Sequence, residues 1–174
     1  MKLFLMRHAD ALPVGSGVTR DADRPLSEAG QREAAAVAKA LAKLAPALHA
    51  VLVSPLLRAR QTGERLVAAH PAAVPLEVSR LLEPGFRPEA ALEELFARWK
   101  EASIVLVGHQ PDLGNFLSYL VSGDLTVDVS FKPGAIACVG VSGTMQNFGG
   151  RLEWLVSPDL VEELLQTGNG GGRS

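Results

Sequence analysis

Two arginines and two histidines stand just beyond short apolar runs in this chain: Arg7-His8 after Leu3 to Met6, Arg58 after Ala50 to Val53, and His109 after Ser103 to Val107. Apolar runs of this length, cut off by polar or turn residues, read as buried strands. If those strands lie parallel in one sheet, the loops that follow them gather at one edge, where open α/β sheets bind their ligands. A pocket walled by these four side chains would hold an anion. Guanidinium forks match phosphate oxygens, and helices beginning near Pro55 and Pro111 would aim free backbone N–H groups at the same place. Phosphoryl transfer asks the protein for little beyond neutralised oxygen charge and an in-line nucleophile. Neutral imidazole carries a free lone pair at physiological pH, which makes His8 the nucleophile candidate. A backbone carbonyl accepting from its Nδ1–H would leave Nε2 facing the phosphorus. His109, if protonated, would add another donor.

The surrounding pattern says what positions these residues. Ser27 can cap a helix running to Leu44, where Val37, Leu41 and Leu44 recur at helical spacing. Ser54-Pro55 reads as a cap and first-turn proline for a second helix, to about Ala69. A weaker strand at Leu76 to Val78 leads through Leu82-Glu83-Pro84-Gly85 to a helix from Pro88 to Lys100, and Asp112 to Val121 reads as another. Ala135 to Val141 and Leu152 to Val156 read as strands joined by a Gly-rich turn, with a closing helix from Pro158 to Leu165. Strands alternating with helices predict a three-layer α/β/α sandwich with a mostly parallel central sheet.

The totals agree with one such domain. The 174 residues are 47% apolar and 21% charged, which suits a single self-sufficient core spanning residues 1–166. Residues 167–174, rich in glycine, read as a disordered tail. With 17 basic and 19 acidic side chains there is no electrostatic drive toward nucleic acid or an anionic membrane. No uninterrupted apolar segment is long enough to span a bilayer, and the lone Cys138 allows no intrachain disulfide and reads as a buried small hydrophobe. Together these predict a cytoplasmic protein. His49, His70, Arg20, Arg65 and Arg98 read as solvated residues or members of structural ion pairs. Ser54 is expected to cap a helix rather than attack a substrate, and Asp23 to steady a loop.

Leu5-Met6-Arg7-His8-Ala9-Asp10 resembles the signature of the histidine phosphatase superfamily, which includes the phosphoglycerate mutases, with Ala9 where glycine is usual. The resemblance is closest to the small bacterial phosphohistidine phosphatases of the SixA type. Their pattern recurs in Arg24-Pro25-Leu26-Ser27, in Val53-Ser54-Pro55-Leu56-Leu57-Arg58-Ala59-Arg60-Gln61-Thr62, in Val107-Gly108-His109-Gln110-Pro111, and through to Ser157-Pro158. It implies a phosphoglycerate mutase-like fold, a covalent phosphoryl group on His8, a bracket of Arg7, Arg58 and His109 around it, and no cofactor or metal. The nearby arginines would in any case repel a cation. Arg24 either lines the pocket or steadies its loop.

In larger superfamily members a carboxylic acid protonates the leaving oxygen. Glu83 sits at a comparable place, Asp10 is its rival, and the small family often lacks a clear equivalent. Little sequence separates the second helix from Glu83, whereas the mutases insert helices there that cover a small substrate. An open pocket suits phosphate carried on a protein surface, such as phosphohistidine on a phosphotransfer domain. A broad small-molecule phosphomonoesterase and a non-catalytic phosphate-binding module are the alternatives. A mutase would need a closed, water-poor site.

Overall fold

A computed structural model describes residues 1–168. Strands β1 (Lys2–Arg7), β2 (Ala50–Val53), β3 (Leu76–Val78), β4 (Ser103–Gly108), β5 (Ile136–Thr144) and β6 (Asn147–Val156) form one sheet in the order β3-β2-β4-β1-β5-β6. The first four run parallel, while β5 and β6 are antiparallel additions at one edge. Helices α1 (Glu28–Leu44), α2 (Leu57–Ala69) and α5 (Pro158–Gly168) cover one face, and α3 (Pro88–Trp99) and α4 (Asp112–Ser122) the other.

The layers follow from the period of the strands. In β1, Leu3 and Leu5 join the α3/α4 core, whereas Phe4 and Met6 join the core beneath α1, α2 and α5. β2 and β4 alternate likewise, Leu52 and Leu106 to one side and Val53 and Val107 to the other. Both faces of the central strands are buried, which explains why they read as continuous apolar runs. A side chain of the Leu or Phe class buried there contributes about 1.5–3 kcal/mol. Cys138 belongs to this interior, and burial pushes its thiol up to about 12, out of reach of ordinary thiolate chemistry.

Several expectations need amendment. The Gly-rich segment at Phe148 to Gly150 is part of β6, and the hairpin turns one step earlier, between Thr144 and Asn147. At Gly150 a Cβ would collide with the Leu120 carbonyl at the end of α4, so glycine serves close packing there, not a turn. His70 is buried, not solvated: its Nδ1 accepts from the Ala72 N–H and its Nε2–H donates to the Ala45 carbonyl at 3.0 Å, pinning the end of α1. Ser54 does not cap α2, which begins at Leu57. The last helix continues to Gly168, so Thr167 and Gly168 of the expected tail are helical, and the rest of that tail, 169–174, lies outside the described residues. No helix among the described residues is long and apolar enough to cross a membrane.

Candidate active site

β1 and β4 are neighbours in parallel register, with Arg7 opposite Gly108, so Arg7-His8 and His109 leave the sheet at the same edge. β2 pairs with the other side of β4 and delivers Ser54 to that edge, with α2 beginning just beyond. The result is a cavity of about 330 Å³ whose walls include Arg7, His8, Arg24, Arg58 and His109. The His8 and His109 ring centroids are 5.2 Å apart.

The His8 loop is held by backbone bonds before any side chain acts. The His8 N–H donates to the Gly108 carbonyl, and the Gly134 N–H donates to the carbonyl of His8. Thr62 on α2 accepts from the Ala9 N–H and donates to the Arg58 carbonyl. The start of α1 presses on the loop as well: the Ser27 hydroxyl donates to the Asp10 carboxylate, and a Cβ on Gly30 would overlap the Asp10 carbonyl. Such a frame restrains the backbone that carries the His8 ring.

His8 Nδ1 lies 2.8 Å from the Ala9 carbonyl. A carbonyl only accepts, so Nδ1 carries the proton and Nε2 keeps its lone pair. That lone pair accepts from Arg58 Nε–H at 3.1 Å. Burial, aided by the charges of Arg58, Arg7 and Arg24 and opposed by the bond to Ala9, pushes the His8 pKa down to about 4. The ring is therefore neutral at physiological pH, as a nucleophile requires.

His109 is likewise pushed down to about 3, first by burial and then by His8 and Arg58. In the ligand-free site, desolvation and nearby positive charge thus disfavour the cationic form considered from sequence. Among the described residues, three buried side-chain polar atoms lack a hydrogen-bond partner, and two of them, Arg7 Nε and His109 Nδ1, belong to residues lining this cavity. Buried donors left unpaired are costly, and an oxyanion ligand would satisfy them. Arg7 is anchored through its other end, Nη1 donating to the Phe131 carbonyl at 2.7 Å.

Two further donors of Arg58 go to Asp21, Nη1 to the backbone carbonyl at 2.8 Å and Nη2 to the carboxylate at 3.1 Å. The other oxygen of that carboxylate accepts from Arg24 at 3.1 Å. Asp21 thus bridges two guanidinium groups as a phosphate would. The Arg24 hydrogen bond and the Arg58 charge hold its carboxyl below the usual range. Sequence reading missed it, although an acid three residues ahead of Arg24 in the family-like Arg24-Pro25-Leu26-Ser27 segment was a usable signal. Arg24 both lines the cavity and ties its own loop, donating to the carbonyls of Leu12 and Ala11.

Glu83 is not brought to the cavity wall. Its neighbour Pro84 lines the cavity, while the half-exposed Glu83 carboxylate lies 3.9 Å from Arg80. Asp10 is at the wall but its carboxylate is engaged by Ser27. Ser54, expected to serve only the helix, is fully buried with its hydroxyl 2.8 Å from His109 Nε2.

A three-layer α/β/α sandwich with an unprotonated imidazole nitrogen and an arginine bracket at the ends of its parallel strands defines the class of enzymes that handle phosphoryl groups through histidine. The sequence model of the Histidine phosphatase superfamily (branch 1) matches residues 3–87. Phosphohistidine phosphatase SixA of Escherichia coli (strain K12) is 30% identical over 162 residues, covering 91% of this chain and 94% of that protein. An uncharacterized protein of Picosynechococcus sp. is 35% identical over 142 residues, 78% of this chain and 82% of its own length. The solved structure of the protein histidine phosphatase SixA complexed with tungstate superimposes with a TM-score of 0.80 at 30% identity, covering 92% of this chain and 99% of that one. This chain belongs to the histidine phosphatase superfamily, and its similarity to SixA is one of sequence and fold together.

Proposed function

We propose that the protein is a phosphohistidine phosphatase that forms a covalent phosphoryl intermediate on His8 Nε2. The observation that carries the reading is the 2.8 Å approach of His8 Nδ1 to the Ala9 carbonyl, which places the ring proton on Nδ1 and leaves Nε2 unprotonated on a residue lining a cavity walled by guanidinium groups. As a phosphoryl group enters, its oxygens replace the Asp21 carboxylate on Arg58 and Arg24 and take up the unpaired donors of Arg7 and His109. Arg58 then releases the His8 lone pair, and the new N–P bond forms as the P–N bond to the substrate imidazole breaks, that ring taking the bonding pair and departing neutral because its other nitrogen carries a proton. Ala9 stabilises the positive His8 ring that results. Water next forms an O–P bond as the N–P bond breaks, releasing orthophosphate and restoring neutral His8.

The carboxylates near the cavity favour a leaving group that needs little help from an acid. Asp21 is held ionised by its arginines, Asp10 accepts from Ser27, and Glu83 stands off the wall. An alkoxide leaves poorly without a proton, whereas the imidazole of a phosphohistidine leaves readily. The passage from α2 to α3 holds only β3 and a short 3-10 turn at Arg80–Leu82, so no inserted helix covers the opening. Both features support phosphohistidine on a phosphotransfer domain as the substrate, ahead of small sugar or nucleotide phosphates. Incubation with a histidine-phosphorylated phosphotransfer domain is expected to release orthophosphate at least tenfold faster than the domain loses it alone. A rate equal to the spontaneous one, with turnover of sugar phosphates in parallel, would instead favour the small-molecule phosphomonoesterase. Tight phosphate binding with no turnover of either would leave a binding module.

A further inference from the structure

We propose that Ser54 is a positioning residue that holds His109 as its Nδ1–H tautomer, so that the ring meets the substrate phosphoryl group as a hydrogen-bond donor. The inference rests on the proposed reading of the cavity as a phosphoryl site, but its structural half can be tested without turnover.

Ser54 leaves the end of β2 with its backbone N–H donating to the Val107 carbonyl, and its side chain is fully buried. Its Oγ has two partners among the described residues: the Leu56 N–H, which donates to it at 3.4 Å, and His109 Nε2 at 2.8 Å. A backbone N–H cannot accept, so the hydroxyl hydrogen has one available acceptor, the Nε2 lone pair. If Nε2 carried the ring proton instead, two donors would converge on Oγ, the hydroxyl hydrogen would be buried without an acceptor, and Nδ1 would turn a lone pair toward an anion. With Nε2 accepting, the proton of the neutral ring sits on Nδ1. That atom is buried and unpartnered on a residue that lines the cavity.

The two histidines thereby share one tautomer and use it oppositely. His8 spends its Nδ1–H on the Ala9 carbonyl and offers a lone pair. His109 spends its lone pair on Ser54 and offers an N–H. Because burial keeps His109 neutral, with its pKa pushed down to about 3, the hydroxyl rather than an added proton decides which nitrogen can donate. A neutral donor also avoids adding another cation to a cavity already walled by Arg7, Arg24 and Arg58.

Ring-15N NMR of the ligand-free protein at pH 7, with His109 assigned by the signals lost in His109→Gln, reads the tautomer directly. Nδ1 is expected to show the protonated, pyrrole-type shift and Nε2 the unprotonated, pyridine-type shift; the reverse would overturn the proposal whether or not the protein is a phosphatase. In Ser54→Ala the His109 signals are expected to move toward the Nε2–H form or an average of the two, while those of His8 stay unchanged. kcat on the phosphorylated phosphotransfer domain is expected to fall at least tenfold. A Ser54→Ala variant with the wild-type His109 pattern would equally overturn it.

Discussion

At the residue scale the site works by withholding protons and concentrating positive charge. Arg7 and Arg58 both line the cavity with His8, one anchored on the Phe131 carbonyl and the other on Asp21. Loss of one such preorganised donor costs about 3 kcal/mol of transition-state stabilisation. Arg7→Ala and Arg58→Ala are each expected to lower kcat/KM on the order of 100-fold in steady-state assays, and values near wild type would refute their roles. The histidines make stability depend on pH with a definite sign. Their folded pKa values, about 4 for His8 and about 3 for His109, lie below the ordinary 6.5. Between those limits the unfolded chain takes up protons that the folded chain refuses. The corresponding stability is fully present above pH 6.5 and is lost as pH falls through about 4 and then 3. Urea midpoints measured from pH 7 to pH 3 are expected to decline less steeply in His109→Gln than in wild type; parallel curves would show that the ring is not held neutral by folding. The acid limb of kcat/KM should correspondingly lie nearer 4 than 6.5. Of these residues, Arg7, His8, Arg58 and His109 were legible because each follows an apolar run. The pairings of Ser54 with His109 and of Asp21 with Arg58 were not, since the partners lie 55 and 37 positions apart and short polar side chains carry no periodic signal.

The elements act on the chemistry by clamping the loops that carry it. α1 is tied to the His8 loop through Ser27 on Asp10, Glu33 accepting from the Asp10 N–H, and the close approach of Gly30 to the Asp10 backbone. Gly30→Ala forces the helix and loop apart, and overpacking of this kind costs typically about 1–3 kcal/mol. A drop in melting temperature on the order of 5 °C is expected, together with a fall in kcat/KM, because the displaced segment is the one next to the nucleophile. A thermally weakened variant with full activity would show that the clamp serves stability alone. Helix and strand positions were largely readable here: Ser27 accepts from the Gly30 N–H as a capping residue should, and the buried strands announced themselves as apolar runs. The hairpin was misread because Gly149 and Gly150 carry the composition of a turn. The reason for glycine at 150, a carbonyl of α4 pressed against it, is a tertiary contact that no local pattern contains.

For the whole molecule, the order β3-β2-β4-β1-β5-β6 places the two strands that carry the histidines side by side near the middle of the sheet. Helices cover both faces of the sheet, and the site cavity opens at the edge where the loops after β1, β2 and β4 gather. That architecture, a mostly parallel sheet between helical layers, was legible from alternating strand and helix patterns, and the pair β5-β6 supplies its antiparallel edge. The cavity of about 330 Å³ at the loop edge has no inserted helix between α2 and α3 to cover it, which is consistent with the proposed substrate, a phosphate presented by another protein. Everything in this scheme passes through one bond, between phosphorus and His8 Nε2. Rapid-quench labelling with a 32P-labelled, histidine-phosphorylated phosphotransfer domain, followed by peptide mapping, tests it most directly. The expected result is a transient label on the peptide containing His8, labile to acid and stable to base, and absent in His8→Asn. Turnover without such a label, or an acid-stable label on another peptide, would contradict it.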